Sequence, residues 1–268
     1  MFPRTGNLAD SLHFVAEPVY RSVIWTAKAF FASLGIRFDI VGQEHLPRSG
    51  GAVLAINHTS YLDFAFAGIP ADRVGRRLVR FMAKDSVFRH PVAGPLMRGM
   101  RHIPVDREAG SQAFRDAVGN LKAGELVGVF PEATMSRSFE IKEIKNGAVR
   151  MAAASGTPLI PMIVFGGQRI LGYGVKDFSR GKTIAITIGE PIACPRGSDF
   201  DQLTIDLRSS LQRLLDQTID RYPPAPPGVA AWWLPARRGG TAPSIEEAEE
   251  IDAQVRRAKQ ERRAQTGQ

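Results

Sequence analysis

The sequence contains very little cysteine. Its single cysteine, Cys194, rules out an internal disulfide and any metal site built from several thiolates. Cys194 lies between two prolines in residues 191–195, a stretch that we predict to be a loop, and we interpret the thiol as incidental to function. A chain with one cysteine fits a reducing compartment.

Long apolar runs are also missing. The longest nearly uncharged stretch, residues 22–36, has 15 residues and still contains Lys28. A membrane-spanning helix needs about 20 apolar residues. The first four residues are followed by polar ones and lack the apolar core of a cleavable secretion signal. We therefore expect neither a transmembrane helix nor a cleaved leader.

Acidic residues are outnumbered, with 27 of them against 35 basic residues, and the net charge is +8. This excess favours anionic partners: phosphates, an acidic membrane surface, an acidic carrier protein or nucleic acid. The sequence has no zinc-finger spacing, no RNA-recognition signature and no basic helix interleaved with aromatics. We therefore expect no nucleic-acid partner.

Residues 1–36 are predicted to form helices at a membrane interface. Apolar residues recur there at steps of three and four, which is helical spacing, and Pro18 is expected to break or kink the helix. In this arrangement the aromatic residues would enter the lipid and the basic ones would meet the headgroups. The aromatic residues are Trp25, Phe30 and Phe31, and the basic ones are Arg21 and Lys28. The alternative is an ordinary amphipathic helix packed on a sheet.

Strand-like and helix-like stretches alternate through residues 37–222. This pattern predicts an α/β domain with a central, mostly parallel or mixed sheet flanked by helices. Strands are predicted at residues 37–41, 52–56, 78–84, 100–105, 126–130, 158–165 and 183–188. Prolines near the start of the strand at 158–165 favour either an edge position or a late entry into the sheet.

The composition changes after residue 222. Residues 223–243 read as a proline-rich linker, and residues 244–268 as a helical tail that is acidic first and basic later. The tail has only a thin apolar stripe, so we expect it to be solvated or loosely docked. Trp232 and Trp233 in the linker could anchor at a membrane interface or on the domain surface.

The strongest candidate for chemistry is the segment 57–63. A short apolar strand leads into it, so His58 should lie at the carboxyl end of a core strand. Ser60 followed by Asp63 is a helix-start signal, which puts Asp63 in the first helical turn. His58 could act as a general base with its tautomer fixed by Asp63. Equally, His58 could satisfy a backbone group and Asp63 could cap the helix.

Basic residues follow other predicted strands. Lys84 and Arg107 come at strand ends, and the loop from Glu132 to Arg137 follows another strand. Several basic side chains beside a His/Asp pair indicate a phosphate-bearing substrate next to a general base. Taken singly, Lys84 or Arg107 fits an ordinary surface charge better than a binding residue.

The segment Asn57-His58-Thr59-Ser60-Tyr61-Leu62-Asp63 resembles the N-H-x4-D motif of the glycerophospholipid acyltransferases, the 1-acylglycerol-3-phosphate acyltransferase family. Three further segments resemble that family's motifs in the same order within residues 37–190. They are Ile-Pro-Val-Asp-Arg at 103–107, Phe-Pro-Glu-Ala-Thr-Met-Ser at 130–136, and Pro-Leu-Ile-Pro at 158–161.

The resemblance implies transfer of a fatty acyl group from a thioester to the free hydroxyl of 1-acylglycerol 3-phosphate, giving phosphatidic acid. The thioester would be acyl-CoA or acyl carrier protein, with no cofactor and no metal. His58 would be the base, Asp63 would orient it, and Asn57 would help shape the site. The enzyme would be peripheral to an anionic membrane, on the cytoplasmic face of the cell membrane.

The same resemblance assigns the acceptor's phosphate to a further set of residues. These are Lys84, Arg107 and the loop with Glu132 and Thr134. A carboxylate does not hold phosphate, so Glu132 is expected to position a basic side chain or a hydroxyl.

The sequence departs from the family pattern at two positions. Ala133 stands in place of a glycine, and Met135 in place of the phosphate-binding arginine. Arg137, two residues on, could take over that role. The acceptor therefore stays open: it could also be glycerol 3-phosphate, another lysolipid or a glycolipid. A non-catalytic protein that binds anionic lipids is a further alternative, but binding alone does not require His58 with Asp63.

Overall fold

A computed structural model describes residues 17–106 and 110–266 of the chain. It contains a seven-stranded sheet with helices on both faces. The strands are β1 (Arg37–Val41), β2 (Ala52–Ile56), β3 (Val79–Lys84), β4 (Ile103–Val105), β5 (Leu126–Val129), β6 (Leu159–Phe165) and β9 (Thr183–Ile188), with β7 (Leu171–Gly172) and β8 (Val175–Lys176) forming a separate hairpin. The helices are α1 (Pro18–Ser33), α2 (Asp63–Arg73), α3 (Asp85–Phe88), α4 (Ala93–Gly99), α5 (Gly110–Lys122), α6 (Gly147–Ser155), α7 (Phe200–Arg221) and α8 (Ile245–Thr266). The predicted fold class is confirmed.

The strand order is β1-β9-β6-β2-β5-β3-β4. Strands β6, β2, β5, β3 and β4 are mutually parallel, whereas β9 pairs with β6 in antiparallel fashion and β1 runs parallel to β9. Parallel strands end at the same edge of a sheet. The loops after β2, β3, β5 and β6 therefore meet at that edge, which is where open α/β sheets bind their ligands.

The hydrophobic core has one layer on each face of the sheet. Helices α5, α6 and α7 cover one face, and α1 and α2 cover the other. Every residue of β2 and of β6 is buried. Such continuous burial explains why these strands are unbroken apolar runs in the sequence.

Of the two alternatives predicted for β6, the edge position was wrong, because β6 lies between β2 and β9. Its prolines cost no hydrogen bond to β2. The Pro158 carbonyl, just before the strand, accepts from Val53 N at 3.0 Å. The Pro161 carbonyl accepts from Gly189 N at 2.9 Å, so Pro161 turns its backbone polar groups toward β9, where the antiparallel ladder begins only at Met162. A proline at the start of a ladder is compatible with a central strand.

Helix α1 begins at Pro18, which suits the first position of a helix because that residue needs no backbone N–H. The prediction that Phe31 enters lipid was wrong. Phe31 is buried in the core, with its ring centroid 4.9 Å from that of Phe66. The adjacent Phe30 lies on the exposed side, since consecutive helical residues point about 100° apart. No helix in the described ranges is long and apolar enough to cross a membrane.

The segment after α7 packs back onto the domain. Trp233 is buried, its carbonyl accepts from Gln168 Nε2 at 3.1 Å, and the Arg169 guanidinium lies 3.9 Å from its ring centroid. This settles the question left open for Trp233. Further along, Asp252 of α8 pairs with Arg137 of the loop after β5.

A buried ion-pair cluster joins the start of α1 to the sheet. Arg80 on β3 donates to both carboxylate oxygens of Glu17 and to Glu125, and Arg101 also reaches Glu17. Arg80 and Glu17 are almost fully shielded from solvent. Since a buried charge that loses its partner is costly, this cluster fixes where α1 sits.

We expect Glu17→Ala to lower the free energy of unfolding by about 1–3 kcal/mol, less than a full unpairing because Glu125 still contacts Arg80. Urea unfolding of the purified protein measures this change. Asp85→Ala, which removes the exposed Asp85–Arg89 pair of α3, is the control and should cost less than about 0.5 kcal/mol. Equal losses in the two variants would contradict the assigned role of the cluster.

Candidate active site

One oxygen atom organises the loop after β2. Asp63 Oδ2 accepts the backbone N–H groups of Thr59 and Ser60, each at 2.7 Å, and His58 Nδ1 lies 3.0 Å away. Asp63 is fully buried and is the first residue of α2. Burial raises its pKa, and the hydrogen bonds from His58, Ser60 and Thr59 act in the opposite direction. The carboxylate therefore shapes the loop and holds the imidazole at once.

The orientation of His58 follows from this contact. A carboxylate oxygen only accepts, so Nδ1 carries the hydrogen and Nε2 is left as the nitrogen able to take a proton. One face of the ring stacks on Phe130 with centroids 4.3 Å apart. The side chain keeps 22% of its surface exposed. His58 is thus a held imidazole that solvent or a substrate can reach.

The loop after β5 forms hydrogen bonds with both the N–H and the carbonyl of the His58 backbone. Glu132 Oε1 accepts from His58 N at 3.0 Å, and Ser136 N donates to the His58 carbonyl at 2.7 Å. Glu132 Oε2 accepts from Lys142 N at 3.3 Å. Burial raises the pKa of Glu132 to about 8, against the effect of these two N–H donors. Glu132 therefore positions His58 and the residues that follow in its own loop.

Asn57 and Gly167 support the site from behind. The Asn57 side chain is buried and bonds the Val164 backbone on β6 twice, at 3.1 and 2.7 Å. Asn57 thus shapes the site without facing its open side. A Cβ on Gly167 would lie 2.9 Å from Ser60 Cβ and 3.2 Å from Asp63 Oδ1, so this position requires glycine. Sequence reasoning missed Gly167, although a Gly-Gly pair directly after a strand is a signal of close backbone approach.

Two of the predicted phosphate-binding residues lie exposed along this edge. Lys84 is exposed at the end of β3, and Thr134 is exposed in the loop after β5. Arg107 lies outside the described residues. Met135 stands where the family has an arginine, and its side chain is buried in the core. Ala133 keeps the turn that glycine makes in the motif, with φ of 60° in the left-handed region.

Arg137 is held by partners that sequence reasoning missed. Its Nε lies 2.7 Å from Asp252 Oδ1, and its guanidinium lies 3.7 Å from the centroid of the Tyr173 ring, between β7 and β8. Lys142 Nζ donates to Thr134 Oγ1 at 2.8 Å and lies 3.4 Å from Asp252 Oδ2. Asp252 and Tyr173 belong to no motif, and only the fold brings Asp252 to residues more than 100 positions earlier.

Comparison with known proteins shows which family the chain resembles. The sequence profile of the Acyltransferase family matches residues 37–165. The 1-acyl-sn-glycerol-3-phosphate acyltransferase of Bacillus subtilis is 31% identical over 182 residues, which are 67% of this chain and 85% of the relative. A chloroplastic 1-acyl-sn-glycerol-3-phosphate acyltransferase of Arabidopsis thaliana is 28% identical over 208 residues, 76% of this chain and 54% of the relative.

A solved structure shares the fold. It is the 1-acyl-sn-glycerophosphate acyltransferase PlsC from Thermotoga maritima, with a TM-score of 0.64 and 22% identity, covering 76% of this chain and 81% of that one. The fold, the family profile and the named relatives together show that the protein is an O-acyltransferase. Within that class, the chain belongs to the 1-acyl-sn-glycerol-3-phosphate acyltransferase family.

We expect Glu132→Gln to flatten the pH dependence of stability. With a pKa of about 8, against an ordinary 4.5, the folded chain keeps a proton that the unfolded chain releases. The free energy of unfolding of the natural protein should therefore fall as pH rises between about 5 and 8, and glutamine removes this titration. Urea unfolding at several pH values measures the slope.

The matched control is Glu249→Gln, an exposed residue of α8 with the same change of side chain. It should keep the slope of the natural protein. Parallel slopes for all three proteins would contradict the raised pKa of Glu132.

Proposed function

We propose that this O-acyltransferase moves a fatty acyl group from a thioester to the free hydroxyl of 1-acylglycerol 3-phosphate, giving phosphatidic acid. The donor would be acyl-CoA or acyl carrier protein. The observation that carries the proposal is the His58 imidazole, held by Asp63 through Nδ1 and open to solvent, at the carboxyl edge of the sheet. The activity named for the family's relatives supports the choice of acceptor.

The reaction needs one proton to be moved. His58 Nε2 takes the proton of the acceptor hydroxyl as its oxygen attacks the thioester carbonyl. The new C–O bond forms, the C–S bond breaks, and the proton passes from the imidazolium to the leaving sulfur. Asp63 stabilises the imidazolium meanwhile. A thioester is already activated, so no acyl-enzyme intermediate is required.

Basic groups near His58 supply the binding of the acceptor's phosphate. Arg137 and Lys142 belong to the loop that forms hydrogen bonds with the His58 backbone, and Thr134 adds a hydroxyl beside Lys142. Lys84 lies at the end of β3, two strands from β2 in the sheet. Arginine and lysine are the side chains that bind phosphate most strongly, so these residues would place the acceptor hydroxyl at the base.

We expect His58→Ala to lower the rate of acyl transfer about 100-fold to 10,000-fold, the range that general-base catalysis contributes. A labelled acyl thioester is mixed with purified protein and with 1-acylglycerol 3-phosphate, glycerol 3-phosphate or a lysolipid without a terminal phosphate. Transfer to the first acceptor should dominate.

His90→Ala is the matched control, because His90 is an exposed histidine outside the site. It should transfer at the rate of the natural protein. Full activity in His58→Ala would refute the assigned base, and preference for another acceptor would refute the proposed substrate.

We further propose that the protein is peripheral to the cytoplasmic face of the cell membrane and attaches through α1. Trp25 is 75% exposed and Phe30 is 43% exposed, and the Phe30 ring meets that of Phe178 at 5.9 Å. Exposed aromatic rings favour the lipid interface. Arg21 and Lys28 both pair with Asp72 of α2, so the net charge of +8 as a whole, and not these two residues, would attract an anionic surface.

We expect Trp25→Ala to weaken binding to vesicles that contain anionic lipid by about tenfold or more, because a large apolar side chain is removed from the interface. Vesicle sedimentation measures the bound fraction. Val255→Ala removes another exposed apolar residue, from α8, and should leave binding unchanged. Equal loss in both variants would argue against attachment through α1.

A further inference from the structure

Helix α8 places a carboxylate on the basic residues of the loop after β5. Asp252 contacts Arg137 Nε with one oxygen, at 2.7 Å, and Lys142 Nζ with the other, at 3.4 Å. All three side chains are shielded, with 13%, 19% and 18% of the surfaces of Asp252, Arg137 and Lys142 exposed. One carboxylate thus contacts two cations, and this shielded cluster differs from the exposed ion pairs of the surface.

The contact lies close to the catalytic base. Glu132 accepts from the backbone N–H groups of both His58 and Lys142, so one side chain joins the backbones of these two residues. A carboxylate and a phosphate offer the same kind of acceptor oxygen to a guanidinium or an ammonium group. Asp252 therefore lies where the phosphate of an acceptor held by this loop would form its ion pairs.

We propose that Asp252 is a specificity-determining residue whose carboxylate competes with the acceptor's phosphate for Arg137 and Lys142. The inference rests on the proposed function. An acceptor with a phosphate must displace Asp252 before it can pair with these cations, whereas an acceptor without one gains nothing from doing so. Asp252 thus sets the affinity for the phosphate-bearing headgroup, and α8 becomes part of the acceptor site.

The docking of α8 is weak enough for this exchange. Its residue Ala248 is buried, but residues 254–258 are exposed. A helix that buries little apolar surface detaches at low cost. Arg137 stays in place when Asp252 leaves, because its guanidinium stacks 3.7 Å from the centroid of the Tyr173 ring.

The test is Asp252→Asn, which keeps the shape of the side chain and removes its charge. We expect the KM for 1-acylglycerol 3-phosphate to fall about threefold to tenfold, the gain from removing one charged competitor. The KM for the acyl thioester should not change. Glu249→Gln, the same kind of change at an exposed position of α8, should leave both constants unchanged.

A double variant identifies the cation involved. Arg137→Ala should raise the acceptor KM. Adding Asp252→Asn to that variant should lower the acceptor KM much less than Asp252→Asn does in the natural protein, since the two changes act on one contact. An undiminished gain in the double variant, or an unchanged or raised acceptor KM in Asp252→Asn, would overturn the inference. Thermal melting of each variant identifies a loss of folding, and Asp252→Ala repeats the test if the asparagine variant does not fold.

Calorimetry with a soluble short-chain 1-acylglycerol 3-phosphate separates this inference from the proposed function. Tighter binding to Asp252→Asn supports the competition even if no acyl group is transferred, a result that would refute the proposed reaction alone. If the natural protein transfers the acyl group but Asp252→Asn binds the acceptor no more tightly, the competition is refuted and the proposed reaction is not. A monoacylglycerol without phosphate should bind both proteins equally, and tighter binding of it to the variant would contradict competition for phosphate.

Discussion

The site depends on the three N–H groups that converge on Asp63 Oδ2. Two come from the backbone of the loop and one from the His58 ring, so the shape of the loop and the tautomer of the His58 imidazole are set by the same atom. A buried acceptor must keep its donors, because leaving either side unpaired costs about 1–3 kcal/mol. The loop after β2 can therefore hardly relax without losing the orientation of His58.

The loop after β5 extends this constraint to the neighbouring strand. Because β2 and β5 are adjacent and parallel, their following loops lie side by side, and Glu132 with Ser136 can hold the backbone of His58. His58 and the basic loop thus form one hydrogen-bonded unit. In the proposed reaction, a substrate bound to the basic loop would be placed relative to His58 by that unit, which is the positioning that a direct acyl transfer needs.

The positive charge of the loop after β5 is balanced by a carboxylate near the end of the chain. Met135 occupies the position of the motif's arginine and is buried, and the loop's shielded cations are Arg137 and Lys142. A partly buried guanidinium needs a compensating partner, and α8 supplies Asp252. Trp233 meanwhile fixes the segment between α7 and α8 on the domain. The carboxyl-terminal segment is thus packed against the loops that build the site.

The sequence alone determined the α/β class, the strand that leads to His58, and the nearness of Asp63, since apolar periodicity and the five-residue step from His58 to Asp63 are local properties of the chain. It could not place β6, because whether Pro161 loses a hydrogen bond depends on which neighbour its backbone faces. Nor could it show that Phe31 is buried while Phe30 is exposed, or that Asp252 meets Arg137 and Lys142. Those contacts join residues far apart in sequence, and only the packing of the sheet, the hairpin and α8 brought them together.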